Sequence, residues 1–197
     1  MKRIFIITAF LLGMMTLAYS QLSPGDKAPE FTLKNIDGSM VSLSDYAENK
    51  GVILIFTCNP CPFAKAYEKR IIQLHKSFEP MGYPVLAINP NDDKLSPDDT
   101  FDKMKERALA REYPFVYLKD DSQIFKAYGA TRTPHVFLLD NDQGEFSIAF
   151  IGAIDNNAMD ERSVSEKYVE DAILALEKGK KPSPDQVKAI GCTIKSK

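Results

Sequence analysis

Val52-Ile53-Leu54-Ile55-Phe56 is an unbroken run of β-branched and apolar residues, the pattern of a strand buried on both faces. It ends at Thr57-Cys58-Asn59-Pro60-Cys61-Pro62. Beyond it, Phe63, Tyr67, Ile71, Leu74 and Phe78 recur at helical spacing, with Lys65, Glu68, Lys69 and Lys76 elsewhere on the wheel. A central strand that passes straight into an amphipathic helix calls for a layered α/β fold with the two cysteines at the junction.

The rest of the chain fits that frame. Phe31 to Leu33, the turn Asp37-Gly38 and Met40 to Leu43 predict an N-terminal β-hairpin. Val85 to Ile88 reads as a second buried strand, followed by an Asp- and Pro-rich loop over 89–99 and a helix over Thr100 to Glu112. A short helix over Ser122 to Tyr128 ends at Gly129. Val136 to Leu139 and Phe146 to Ile151 flank the turn Asn141 to Gly144, and Ser163 to Lys178 reads as a closing amphipathic helix stopped by Pro182 and Pro184. The expectation is a central mixed sheet flanked by helices.

At 197 residues the chain has room for one domain. Lys2 and Arg3, the apolar run Ile4 to Ala18 and the small-x-small Ala18-Tyr19-Ser20 form a signal-peptide pattern over residues 1–20. The apolar run is shorter than the roughly 20 residues of a spanning helix, so no stable membrane insertion is expected after cleavage. The domain is then expected over 21–180, with a tail over 181–197, and export points to a bacterial envelope, periplasmic destination. Without Lys2 and Arg3 the balance is 23 basic to 27 acidic residues, a net charge of −4. The short Lys178, Lys180, Lys181 cluster suits a helix end, and nucleic acid is not an expected partner.

Three cysteines remain: Cys58, Cys61 and Cys192. A C-x-x-C pair in an exported chain points to thiol–disulfide exchange on thiol- or disulfide-containing protein substrates, with an external redox partner and no cofactor. At a helix N-terminus a thiolate is favoured, so the expected chemistry has Cys58 as an ionised nucleophile and Cys61 as the resolving thiol. Two structural alternatives compete with it: a purely structural disulfide, and half of a zinc site. Zinc would need four Cys or His ligands, and no metal site is expected. Cys192 reads as a relay partner folding back from a flexible tail, as an intermolecular bridge, or as a thiol without a role.

The matching segments Gly25 to Phe31, Cys58-Asn59-Pro60-Cys61-Pro62-Phe63, Ala87-Ile88-Asn89, Ala127 to Ala130, Thr133-Pro134 and Ile190 to Lys195 carry a family resemblance. The chain resembles the redoxin group of the thioredoxin superfamily, especially its peroxiredoxin-like branch related to alkyl hydroperoxide reductases. That resemblance implies a thioredoxin-like fold in which Pro134 is a cis-proline facing the cysteines. It also implies that the Thr133 backbone is free to pair with a substrate strand, with Asn59 and Pro60 beside the bound substrate. Branch members often carry histidine where this chain has Pro60 and cysteine where it has Arg132. Peroxidase activity is the first alternative function, yet the peroxidatic pattern Pro-x-x-x-Thr-x-x-Cys is absent: the matching offsets hold Gly51 and Ile55 before Cys58, and Leu54 and Cys58 before Cys61. A copper carrier using two thiolates and His135 is the second, although such carriers resemble Cys-x-x-x-Cys-Pro. His75, Glu30, Lys65 and Arg132 read as surface or boundary residues.

Overall fold

The computed structural model describes residues 22–197; the expected signal peptide lies outside the described residues. An N-terminal hairpin, β1 (Thr32–Asn35) and β2 (Met40–Ser42), precedes the central strand β3 (Gly51–Phe56) and the helix α1 (Pro62–Phe78). There follow β4 (Val85–Asn89), α2 (Phe101–Ala110), β5 (Val116–Lys119), α3 (Ile124–Tyr128), the short β6 (Arg132–Thr133), β7 (His135–Asp142), β8 (Glu145–Gly152), α4 (Tyr168–Leu176) and, near the terminus, β9 (Cys192–Thr193).

The main sheet runs β2-β1-β5-β4-β3-β7-β8. Its middle is parallel, β3 with β4 and β4 with β5, while β7 lies antiparallel to β3 and β8 antiparallel to β7. The sheet is therefore mixed and the architecture is the expected thioredoxin-like α/β sandwich. The unbroken apolar run of β3 follows from burial on both sides: Leu54 and Phe56 pack with Leu86, Ile88, Tyr128 and Phe137 on one face. On the other, Ile53 and Ile55 pack with Tyr67, Ile71 and Leu74 of α1 and with Val169 and Ile173 of α4.

Three features depart from the sequence expectation. β5 was not anticipated; only four residues long and bounded by Pro114 and Asp120, it lacks a clear period. The closing helix is shorter than expected, because the Asn156 side-chain oxygen accepts from the backbone N–H groups of Ser165 and Glu166 (3.1 and 3.3 Å), a local bond that competes with helix formation. The tail is pinned. Gln186 bridges to Ile151, the Val187 amide donating to the Ile151 carbonyl and the Ile151 amide to the Asp185 carbonyl, and the chain passes so close to Gly152 that a Cβ there would meet Val187 at 2.4 Å. β9 then pairs antiparallel with β6, Thr133 opposite Cys192 and Arg132 opposite Thr193.

Candidate active site

The cysteine loop sits where β3 runs into α1. Cys61 is the N-cap of α1, with Pro62 in its first turn; proline suits that turn because its missing N–H would have had no helical partner. The unpaired amides and positive end of the helix dipole therefore act most directly on the Cys61 sulfur.

The disulfide partner of Cys61 is Cys192. The two are 131 positions apart in sequence, with Cα atoms 6.1 Å apart, and Cys58 is a free, buried thiol. This overturns the expectation of a Cys58–Cys61 dithiol/disulfide couple: the four-residue spacing is present in the sequence, but the bridge runs to the tail. The physical reason is the β6·β9 pairing, which lays Cys192 opposite Thr133, while Cys61 Sγ is 3.2 Å from the Thr133 carbonyl oxygen. It also removes the copper alternative, since Cys61 is no longer a thiolate donor; among the described residues no three His, Cys, Asp or Glu side chains are grouped to hold a metal ion. The peroxidase alternative, without the Pro-x-x-x-Thr-x-x-Cys pattern at either cysteine, meets the further obstacle that Cys61 is held in the bridge and Cys58 is buried.

Cys58 was expected to be ionised. Instead it is 5% exposed, and burial pushes its thiol above the ordinary value; a 3.0 Å hydrogen bond shared with Thr133 Oγ1 acts in the opposite direction, and the charge of nearby Asp99 adds to the rise. Thr133 thus touches both sulfurs. The peptide bond between Thr133 and Pro134 is cis, as the resemblance implied, and Pro134 and His135 are buried behind it. His135 has its pKa lowered to about 4 by burial, so its ring is neutral near pH 7. It packs tilted against Phe137, ring centroids 4.7 Å apart.

Asn59 points inward. Its side chain donates to the Asp98 carbonyl (2.8 Å) and accepts from the Tyr117 hydroxyl (3.0 Å), and its backbone N–H donates to Asp99 Oδ1 (2.8 Å). Pro60 is half-buried and lines, with Lys65, Asp98, Arg107 and Arg111, a cavity of about 420 Å³ beside the loop. Glu30 and Arg132 are exposed; Glu30 accepts from the Ser44 backbone and Arg132 donates to Thr193 Oγ1 at 3.0 Å. Half-buried His75 accepts from the Val85 amide.

Sequence reasoning missed the support beneath this loop. Asp99, fully buried, accepts from four donors: the Asn59 amide, Asn89 Nδ2, Asn91 Nδ2 and Ser96 Oγ, at 2.6–2.8 Å. Buried Lys119 donates to the carbonyls of Asn91 and Asp99. Asn91 reaches the tail as well, accepting from the Lys195 amide at 2.8 Å. One polar hub therefore fixes both the cysteine loop and the segment carrying Cys192. The signal available in the sequence was Asn89-Pro90-Asn91 directly after a buried strand, a polar cluster at the carboxyl end of the sheet where sites assemble.

Residues 24–144 match the AhpC/TSA family. The chain belongs to that family. The AhpC/TSA segment holds Cys58, Cys61 and Pro134 but stops short of Cys192. Two solved structures extend the likeness across nearly the whole chain. An uncharacterized conserved protein from Geobacillus kaustophilus is 34% identical, with a TM-score of 0.82 over 89% of this chain and 93% of its own. A hypothetical protein from Sinorhizobium meliloti 1021 is 30% identical, with a TM-score of 0.82 over 90% and 97%. Among curated relatives, the thiol-disulfide oxidoreductase ResA of Geobacillus thermodenitrificans is 32% identical over 121 residues, 60% of this chain and 64% of that protein. ResA of Bacillus subtilis is 30% identical over 158 residues, 73% and 82%. The chain is thus a thioredoxin-fold member of an oxidoreductase family, and it spans a little under two thirds of the first ResA protein.

Proposed function

We propose that the chain is a thiol–disulfide oxidoreductase acting on protein substrates, with the Cys61–Cys192 bridge as its redox couple. The observation that carries this reading is the placement of that bridge: Cys61 is the N-cap residue of α1, at the helix N-terminus, and its partner Cys192 is half-buried where Cys58 and Cys61 are buried. Kinship with the ResA proteins, which are named for this activity, supports it.

The chemistry follows from those positions. A thiolate of a reduced dithiol donor attacks Cys192 Sγ, the more accessible sulfur; the Cys61–Cys192 bond breaks and its electron pair leaves on Cys61, where the helix N-terminus stabilises the thiolate. The donor's second thiol then displaces Cys192 from the mixed disulfide. The donor becomes a disulfide, and the protein has taken up two electrons and two protons. Thr133 and Pro134 flank the exchanging sulfurs and hold the strand that carries Cys192, Asn59 and Pro60 shape the loop beside them, and buried Cys58 stays protonated. A formed disulfide and the signal-like N-terminus together favour an oxidising, extracytoplasmic compartment such as the periplasm; among the described residues no helix is long and apolar enough to cross a membrane. On this reading residues 21–180 are the domain and 181–197 the tail that carries half of the couple.

With a dithiol donor and a disulfide-bonded protein substrate, turnover is expected to be lost in Cys61→Ser and in Cys192→Ser and to persist in Cys58→Ser. Full turnover by the Cys192→Ser protein would overturn the assignment.

A further inference from the structure

β6 offers a short backbone edge directly before Pro134, and β9 of the same chain occupies it. The occupant is held at every position. Gly191 lies against the Thr133 carbonyl, Cys192 pairs with Thr133 and bridges Cys61, and the Thr193 hydroxyl accepts from Arg132. The Ile194 amide donates to the Thr131 carbonyl while its side chain packs on the core, and Lys195 bonds through its backbone to Asn91 and Asp92. This is the geometry of an extended peptide paired with a short strand outside the main sheet, main chain for affinity and side chains for selection, with a cysteine delivered to Cys61.

We propose that the tail is a built-in substitute for the substrate strand, and that the edge it covers selects extended segments with glycine immediately before the reacting cysteine. The proposal rests on the redox reading of the Cys61–Cys192 bridge. The selecting element is the Thr133 carbonyl: a Cβ on the residue at position 191 would lie 2.3 Å from that oxygen, 2.6 Å from its carbon and 3.0 Å from the Pro134 nitrogen. These are backbone atoms in a buried segment, so they cannot swing aside as a flexible side chain would. A substrate strand in the same register meets the same obstruction, and only glycine passes.

The tail and the substrate then compete for one edge. In the reduced protein the tail leaves β6 and uncovers Cys61. The Cys61 thiolate attacks the substrate cysteine that follows glycine, forming a Cys61–substrate disulfide and releasing the substrate's other sulfur as a thiolate. The substrate strand, still tethered to Cys61, leaves β6; Cys192 returns and attacks Cys61 Sγ, re-forming the Cys61–Cys192 bridge and expelling the first substrate cysteine as a thiolate. The substrate disulfide gains two electrons, the protein dithiol loses two, and an external dithiol resets the cycle.

The test uses the full-length mature chain carrying Cys58→Ser and Cys192→Ser, which leaves Cys61 as its one thiol. The probes are three synthetic peptides of the tail sequence from Lys188 to Lys195, each with its cysteine joined by a disulfide to a chromogenic aromatic thiol. They differ only in the residue before that cysteine: glycine, alanine or valine. A small symmetrical disulfide of 2-mercaptoethanol measures the intrinsic reactivity of Cys61. The glycine peptide is expected to release the chromophore about tenfold or more faster than the alanine peptide, the size of effect that overpacking against fixed atoms produces, with valine slower still. Equal rates for the three peptides, with the small disulfide reacting normally, would overturn the glycine selection and leave the redox reading standing. No reaction with the peptides or with the small disulfide would overturn both.

Discussion

Reducing the Cys61–Cys192 bridge should cost the fold far more stability than any bridge within the cysteine loop could supply. The bond joins positions 131 apart, and the chain-entropy relation for a closed loop of that length gives about 5 kcal/mol at room temperature. The same relation applied to a Cys58–Cys61 bridge gives only about 2 kcal/mol. For a domain of this size each kcal/mol moves the melting temperature by about 2–4 °C, so the two pairings predict losses of about 10–20 °C and about 4–8 °C. Thermal unfolding of the oxidised protein, the reduced protein and Cys192→Ser, each followed by circular dichroism, separates them. The Cys192→Ser protein should melt with the reduced form, and Cys58→Ser should keep the oxidised melting temperature. A reduced protein that melts within a few degrees of the oxidised one, or a Cys58→Ser protein that loses as much as Cys192→Ser, would refute the pairing on which the mechanism rests.

Other outcomes follow from the surroundings of the bridge. Asp99→Ala leaves four buried donors without their acceptor and should destabilise the protein by about 3 kcal/mol in urea titration, with Asp99→Asn recovering part of the loss. His135 carries a folded-state pKa lowered to about 4. The unfolded chain therefore binds its proton first as pH falls, and stability present above pH 6.5 is lost progressively down to pH 4, by up to about 3 kcal/mol. His135→Gln should flatten that part of the stability profile; an unchanged profile would show that other groups account for it. Alkylation of Cys58 in the oxidised protein should accelerate with a midpoint above the ordinary thiol value, because burial raises its pKa; a plateau already reached at neutral pH would contradict its buried, protonated state.

The fold was legible wherever burial wrote a period into the sequence. Val52 to Phe56 and the Phe63, Tyr67, Ile71, Leu74 series placed β3, α1 and the cysteine junction correctly, since a strand buried on both faces and a helix buried on one leave different patterns. β5 escaped notice because four residues beside a proline carry too little of either. At the candidate site the cis peptide at Pro134 was legible through the family resemblance, and the cysteine pairing was not. Local spacing between Cys58 and Cys61 is visible in one line of sequence, whereas the strand that brings Cys192 to Thr133 depends on a two-residue ladder and on Asn91 and Asp92 gripping the Lys195 backbone. Such tertiary contacts between polar residues have no periodic signature. The same holds for Asp99: a loop rich in Asp and Pro gives no sign that one of its carboxylates is wholly enclosed.

The most direct test is a glutathione redox titration of the mature protein, quenched with acid at each potential, alkylated after denaturation and mapped by mass spectrometry of the peptides containing Cys58, Cys61 and Cys192. The expected result is a single two-electron transition between roughly −120 and −270 mV, the span of exchange proteins, in which Cys61 and Cys192 become protected together while Cys58 is alkylated throughout. Protection of Cys58 with Cys61, leaving Cys192 alkylated, or a bridge that resists reduction below about −300 mV, would contradict it.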